Sequence, residues 1–322
     1  MIFFILRKVN WTGLSAIFAH LDLRWVVLSS ALTVVIIAAL ALRWRIFLQQ
    51  QKITLPYRTV LSLTWAGQFF NSVLPGSTGG DVVKMYQICR LAPDRKAAAA
   101  STVFVDRLSA LVALLALAGV AVLVDPKPLL LIPQIDVALG TLLLVGLIVA
   151  AVSVFVTWMG SRLLRGTKLH GRITRTLAAA MSALTLSRTS VAGVSLAFGI
   201  HLLNFLTIYF FARALGIPLT YLQVTLMMPV ILLVLLIPVT INGHGLREVL
   251  LIGYLSYMGV VVPGQSGVNA RETAIALSML AVATDLLWSV PGGLLYLMRF
   301  RGAMSTDPRA REQATTARPV AE

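Results

Sequence analysis

Long apolar runs alternate with short polar segments rich in Arg and Lys along nearly the whole chain. Residues 25–42, 97–124, 137–158, 191–212 and 273–298 each reach the roughly 18–20 residues that a helix needs to cross a bilayer. Residues 221–239 can nearly cross it, with Pro229 placed to kink the helix. Two further apolar stretches are too short. Residues 60–74 would span about 22 Å as a helix, against a hydrocarbon core of about 30 Å, and residues 249–262 cannot cross upright either. Both adjoin a Pro/Gly break, so each is read as one arm of a broken or re-entrant hairpin. Ahead of the first span, residues 9–23 place Trp11, Leu14, Ile17, Phe18 and Leu21 at helical spacing, the pattern of an amphipathic interfacial helix. The expected fold class is all-α: a polytopic helical membrane protein with about six full spans and two broken hairpins. Residues 1–24 form an N-terminal segment, 25–298 the membrane domain, and 299–322 a basic tail expected to be disordered.

Composition agrees with that reading. Hydrophobic residues make up 58% of the 322 and charged residues 12%, far from the balance of a soluble domain. The formal charge of +15 is not a nucleic-acid signature, because no basic face carries interleaved aromatics. Its distribution instead gives a topology. Segments 43–58, 90–96 and 159–190 and the tail from Arg299 carry 4, 3, 6 and 5 of the 27 Lys and Arg, as cytoplasmic segments do. With those inside, the first hairpin opens from the cytoplasm and the second from outside, the arrangement of an inverted repeat. Cys89 is the only cysteine, which excludes an intrachain disulfide and a Cys-based metal site. His20, His170, His201 and His244 show no metal-ligand spacing. No cofactor is expected.

The two breaks are similar. In the first, Asn71, Pro75, Gly76, Gly79 and Gly80 precede Asp81 and Lys84. In the second, Pro238, Asn242, Gly243 and Gly245 precede Arg247 and Glu248. The basic residue falls nine positions after the proline both times. Asp81, Lys84, Arg247, Glu248 and Asp285 all lie within or beside apolar segments, where an unpaired charge costs about 3 kcal/mol on the insertion scale. They must pair with one another, face water or bind something charged. Asp106 and Arg107 lie near the inner boundary of their span, where an interfacial pair is the simpler reading. Asp285 lies near the centre of its span, so it carries a proton, pairs with a cation or faces a cavity. A helix starting at Gly80 or Gly245 would leave its first N–H groups unpaired with the positive dipole end in the membrane. With Lys84 or Arg247 nearby, a phosphate would suit such an end. GSTGGD lacks the Gly-Lys-Ser/Thr ending of a nucleotide loop, and GHGLRE lacks the third glycine of a dinucleotide fingerprint.

These residues resemble the lysylphosphatidylglycerol synthase transmembrane region, a flippase-like membrane family. The shared features are the LRWR exit at 42–45, the Asn71-to-Asp81 break, the Asp106-Arg107 pair and the Gly243, Gly245, Arg247, Glu248 break. The likeness spans about residues 25–300. It implies a multi-pass protein of the bacterial cytoplasmic membrane, with anionic lipids as partners and a headgroup site built from the residues of the two breaks, Asp106, Arg107 and Asp285. Family members usually begin with a full span, of which residues 1–6 resemble only the end. The bifunctional synthases also carry a large soluble aminoacyl-transfer domain, which nothing after Arg299 could form, so an enzyme activity is not expected. The function implied is translocation of an anionic phospholipid or a lipid-linked intermediate. The alternatives are a membrane component of a lipid-modifying or glycosyltransferase system, with a lipid-modifying enzyme as partner, and a non-transporting scaffold.

Overall fold

The computed structural model describes residues 11–74, 79–125, 188–235, 245–259 and 269–306. Every element among them is helical. The α-helices are α1 (Trp11–Ala19), α2 (Leu23–Gln50), α3 (Tyr57–Val73), α4 (Gly79–Leu91), α5 (Lys96–Val124), α6 (Arg188–Ala214), α7 (Tyr221–Leu235), α8 (Leu246–Tyr257) and α9 (Ala270–Thr306), with a 3₁₀ turn at Pro93–Arg95. The chain is a polytopic helical membrane protein. Four described segments, Leu23–Gln50, Pro93–Val124, Arg188–Ala214 and Ala270–Met298, are long and apolar enough to cross a bilayer. The expected span at 137–158 and most of the basic segment at 159–190 fall outside the described residues.

Helix packing divides the molecule into two related units. In the first, α2 packs on α3, α3 on α4 and α4 on α5; in the second, α6 packs on α7, α7 on α8 and α8 on α9. The units are joined in matching ways. Helix α3 lies on α9 and α7 lies on α5, while α2 lies on α6. The α2–α6 contact is antiparallel: Ser29 donates to the Thr207 carbonyl at 3.3 Å near one end, and Gln50 donates to Ser190 at 3.5 Å near the other. Equivalent contacts and opposed direction are what the expected inverted repeat would produce. Each has its own apolar core. Ala41, Trp44, Leu48, Val60, Leu63, Ile88, Ala99 and Val103 fill the first. Phe205, Phe211, Val224, Met227, Leu255, Ile275 and Leu277 anchor the second.

Three sequence expectations change. The helix α1 was expected to lie in the interface, but Leu14 and Ile17 are buried in the second core and Phe18 packs against it. Its apolar stripe therefore meets protein. Helix α2 does not end at Leu42; it runs 28 residues to Gln50 and carries Arg43 into the bundle at 3% exposure, because a carboxylate there neutralises it. Helix α9 continues past Arg299 to Thr306, so the tail begins as helix, and 307–322 lie outside the described residues.

The hydrogen bonds also fix which loops share an end of the bundle. Arg95 donates to the Gln51 carbonyl at 3.2 Å, and Gln50 reaches Ser190. The α2–α3 loop, the 90–96 turn and the start of α6 are thus on one side, and the α3–α4 pair returns to the side where it began. On a Cys89→Ser background, Asp94→Cys and Arg188→Cys should both react with a membrane-impermeant maleimide from the cytoplasmic side. Labelling of either from outside would overturn this topology.

Candidate functional site

Helices α3 and α4 can approach closely because glycines face each other across them. A Cβ on Gly80 would overlap the Gly67 carbonyl, and one on Gly67 would come within 2.8 Å of the Lys84 side chain. Asn71 completes the crossing by accepting the Gly80 N–H on its side-chain oxygen at 2.8 Å. The Lys84 stem thus runs over Gly67, and its ammonium reaches the bundle interior at 7% exposure.

There it meets a cluster drawn from two other helices, α2 and α5. Lys84 Nζ is 4.3 Å from the centre of the Trp44 ring and 3.9 Å from Asp106 Oδ2. The other Asp106 oxygen accepts from Arg43 Nε at 2.8 Å. Trp44 is held by its indole N–H, which donates to Thr102 at 3.1 Å. Arg43, Lys84 and Asp106 are all buried, so this is a desolvated triad rather than a surface pair. Arg107 turns the other way and donates to Asp81 at 2.5 Å, with its side chain 52% exposed. The expected Asp106–Arg107 pair is therefore replaced by two pairs with separate partners. Adjacent helix residues point about 100° apart and do not face each other.

The second unit supplies Arg247 and Asp285. Arg247 Nη2 donates to Ser278 of α9 at 2.7 Å, Ser278 donates to Glu248, and Glu248 accepts the Gly245 N–H at 2.5 Å. Gly245 has φ +89°, the left-handed region where glycine alone is unstrained. Arg247 Nε is buried without a hydrogen-bond partner among the described residues. Asp285 has neither a hydrogen bond nor an ion pair among the described residues.

A cavity of about 490 Å³ joins the two units. Arg43, Lys84, Arg107 and Arg247 line it with Asp81, Asp106 and Asp285, and α3 adds Thr64, Gln68, Asn71 and Ser72. Of the residues expected to form a site, Asn71, Asp81, Lys84, Asp106, Arg107, Arg247 and Asp285 meet here. Gly79, Gly80, Gly245 and Glu248 are not on its wall. Pro75, Gly76, Asn242 and Gly243 lie outside the described residues. At each helix start one of the N–H groups expected to be free has a side-chain partner. Asn71 occupies the Gly80 N–H and Glu248 the Gly245 N–H, so the cations on the wall are side chains. His201 is not on the wall; its Nε2–H donates to the Ala110 carbonyl at 3.0 Å.

Sequence reasoning missed Arg43, Thr64, Gln68 and Ser72. Arg43 was read as a loop cation because it closes an apolar run. The other three carried a usable signal: polar side chains four residues apart at 64, 68 and 72, on one face of a helix. Residues 1–270 match the family model described as the lysylphosphatidylglycerol synthase TM region. No curated protein and no solved structure matches the chain.

Proposed function

Because the chain belongs to the lysylphosphatidylglycerol synthase transmembrane family and is an integral membrane protein, we propose that it translocates the headgroup of an anionic lipid through the cavity between its two units. The observation that carries this reading is the meeting of Lys84 and Arg247, one from each unit, on a single cavity wall. Four cations face three carboxylates there, so the wall has a positive balance that one anion would offset. Lipid translocation also fits an inverted repeat, whose sites form where the units meet. The membrane is the bacterial cytoplasmic one, and a lipid-modifying enzyme on one face would supply or consume the cargo. No residue is assigned a covalent step.

A second reading, a non-transporting scaffold or component of a lipid-modifying system, is favoured by Arg43–Asp106 and Arg107–Asp81. These pairs neutralise two carboxylates without any ligand. Reconstitution of the purified chain into vesicles separates the readings. Anionic lipids carrying an acyl-chain fluorophore should become accessible to an impermeant reductant faster than in protein-free vesicles. A rate equal to the protein-free rate for every anionic lipid in a panel would favour the scaffold.

A further inference from the structure

We infer that Asp285 carries a proton through the cavity together with the anionic cargo. This rests on the translocation reading and names the ion that accompanies the lipid. Asp285 differs from the other carboxylates on the wall. Asp106 holds Arg43 and Lys84, and Asp81 holds Arg107. Asp285 makes no hydrogen bond and no ion pair among the described residues. Arg247 shares its wall but donates to Ser278 and lies beside Glu248 instead. Asp285 is exposed, and it lines the cavity together with the apolar Val282 and Leu286 of its own helix.

Depth limits what such a carboxylate can do. The apolar span of α9 runs from Ala270 to Met298, which puts Asp285 about 20 Å along the helix from either end. So short a side chain cannot reach the interface, and a bare charge at that depth is costly. A proton removes the charge, and the cavity lets it arrive and leave without crossing apolar protein. The chemistry is one O–H bond. The carboxylate takes a proton from water when the cavity is open to one side, and the carboxyl returns it to water when open to the other. A metal cation needs several oxygen ligands at once and would face four cations on the wall. A proton needs one oxygen.

Cargo and proton favour each other. The charged groups on the wall with Asp285 are Arg43, Asp81, Lys84, Asp106, Arg107 and Arg247. Helix α3 adds only uncharged side chains there, α6 adds none, and α1 has no titratable residue. Protonation of Asp285 therefore raises the positive balance of the wall by one charge. The anion binds the protonated form more tightly, and the bound anion favours the proton by the same factor. A singly charged headgroup and one proton cross as an electroneutral pair, driven by a pH difference and indifferent to the membrane potential.

The test uses phosphatidylcholine vesicles containing the full chain and one of three fluorescent probes: phosphatidylglycerol, phosphatidylserine or a prenyl phosphodiester. A phosphodiester lacks the second ionisation near neutral pH of a monoester, so the probes keep their charge while Asp285 titrates. A gradient of one pH unit should move a probe toward the less acidic leaflet, by up to about tenfold in leaflet ratio, before protein-free vesicles show any bias. Reversing the gradient should reverse the movement, and a potassium diffusion potential alone should do nothing. Asp285→Asn should insert and unfold like the wild type but lose the bias, and Asp285→Glu should keep part of it. Probe movement that ignores the pH gradient, or follows the potential alone, overturns the inference while leaving translocation intact. A bias that survives Asp285→Asn overturns the assignment to Asp285. A bias driven by a sodium gradient without a pH gradient replaces the proton with a metal cation. Movement of none of the probes overturns both the inference and the translocation reading.

Discussion

Asp106→Ala is expected to lower stability by about 3–5 kcal/mol, the usual cost of removing one partner from a buried ion pair. The substitution strands two cations at once. Arg43 loses its contact at 2.8 Å and Lys84 its contact at 3.9 Å, and both are buried. Arg43→Met should cost less, because Lys84 remains near the carboxylate. The informative control removes all three charges together, as Arg43→Met, Lys84→Met and Asp106→Leu. Apolar replacement of a whole buried triad is often neutral or better, so most of the loss should return. Thermal unfolding in detergent reads each variant. A loss below about 1 kcal/mol for Asp106→Ala, the size of an exposed pair, would mean that water reaches the triad.

Lys84→Ala and Arg247→Ala should each reduce lipid movement to the protein-free rate while leaving a folded, inserted chain. The structure gives a reason for expecting folding to survive here and not at Asp106. Without Lys84, Asp106 keeps Arg43. Without Arg247, Ser278 still donates to Glu248, and Glu248 still caps Gly245. Neither substitution takes away the last hydrogen-bond partner of Asp106 or Glu248. Lys84→Arg and Arg247→Lys should retain part of the rate, since a phosphate accepts either donor with different geometry. Asp81→Asn and Glu248→Gln should mainly reduce stability. Alanine variants that prove unstable yet fully active per folded molecule would assign both cations to structure, and translocation through this cavity would be refuted.

How much of this was legible depended on whether the signal was local. The helix breaks were legible, because Pro and Gly act on their own backbone: α3 ends at Val73 and α8 begins at Leu246, close to where the sequence placed the breaks. The pairings were not legible. Asp106 finds Arg43 across 63 positions and Arg107 finds Asp81 across 26, distances at which a single sequence carries no register. Arg43 was misplaced for the same reason. A cation ending an apolar run reads as a loop residue unless its counter-charge is known, and that counter-charge sits on another helix. The free N–H groups at Gly80 and Gly245 were expected from backbone geometry alone. Side chains at Asn71 and Glu248 had already taken them.

The two seams that join the units are equivalent by topology but not by build. Along α3–α9, Gly292 packs against the Trp65 backbone and Gly293 against the Phe69 ring, while the Trp65 indole donates to the Trp288 carbonyl at 2.6 Å. Phe70 and Tyr296 extend that seam edge to face, with ring centres 4.9 Å apart. The α7 side of the other seam contributes Val224, Met227, Met228 and Ile231 to a core that Leu117 of α5 borders, and methionine repacks readily. The α3–α9 seam is thus closed by glycine-to-backbone contact, an indole hydrogen bond and edge-to-face rings, whereas the α5–α7 seam is closed, among the described residues, by aliphatic and thioether packing alone. If the units move against each other, the α5–α7 seam is the one whose side chains can repack without breaking a hydrogen bond.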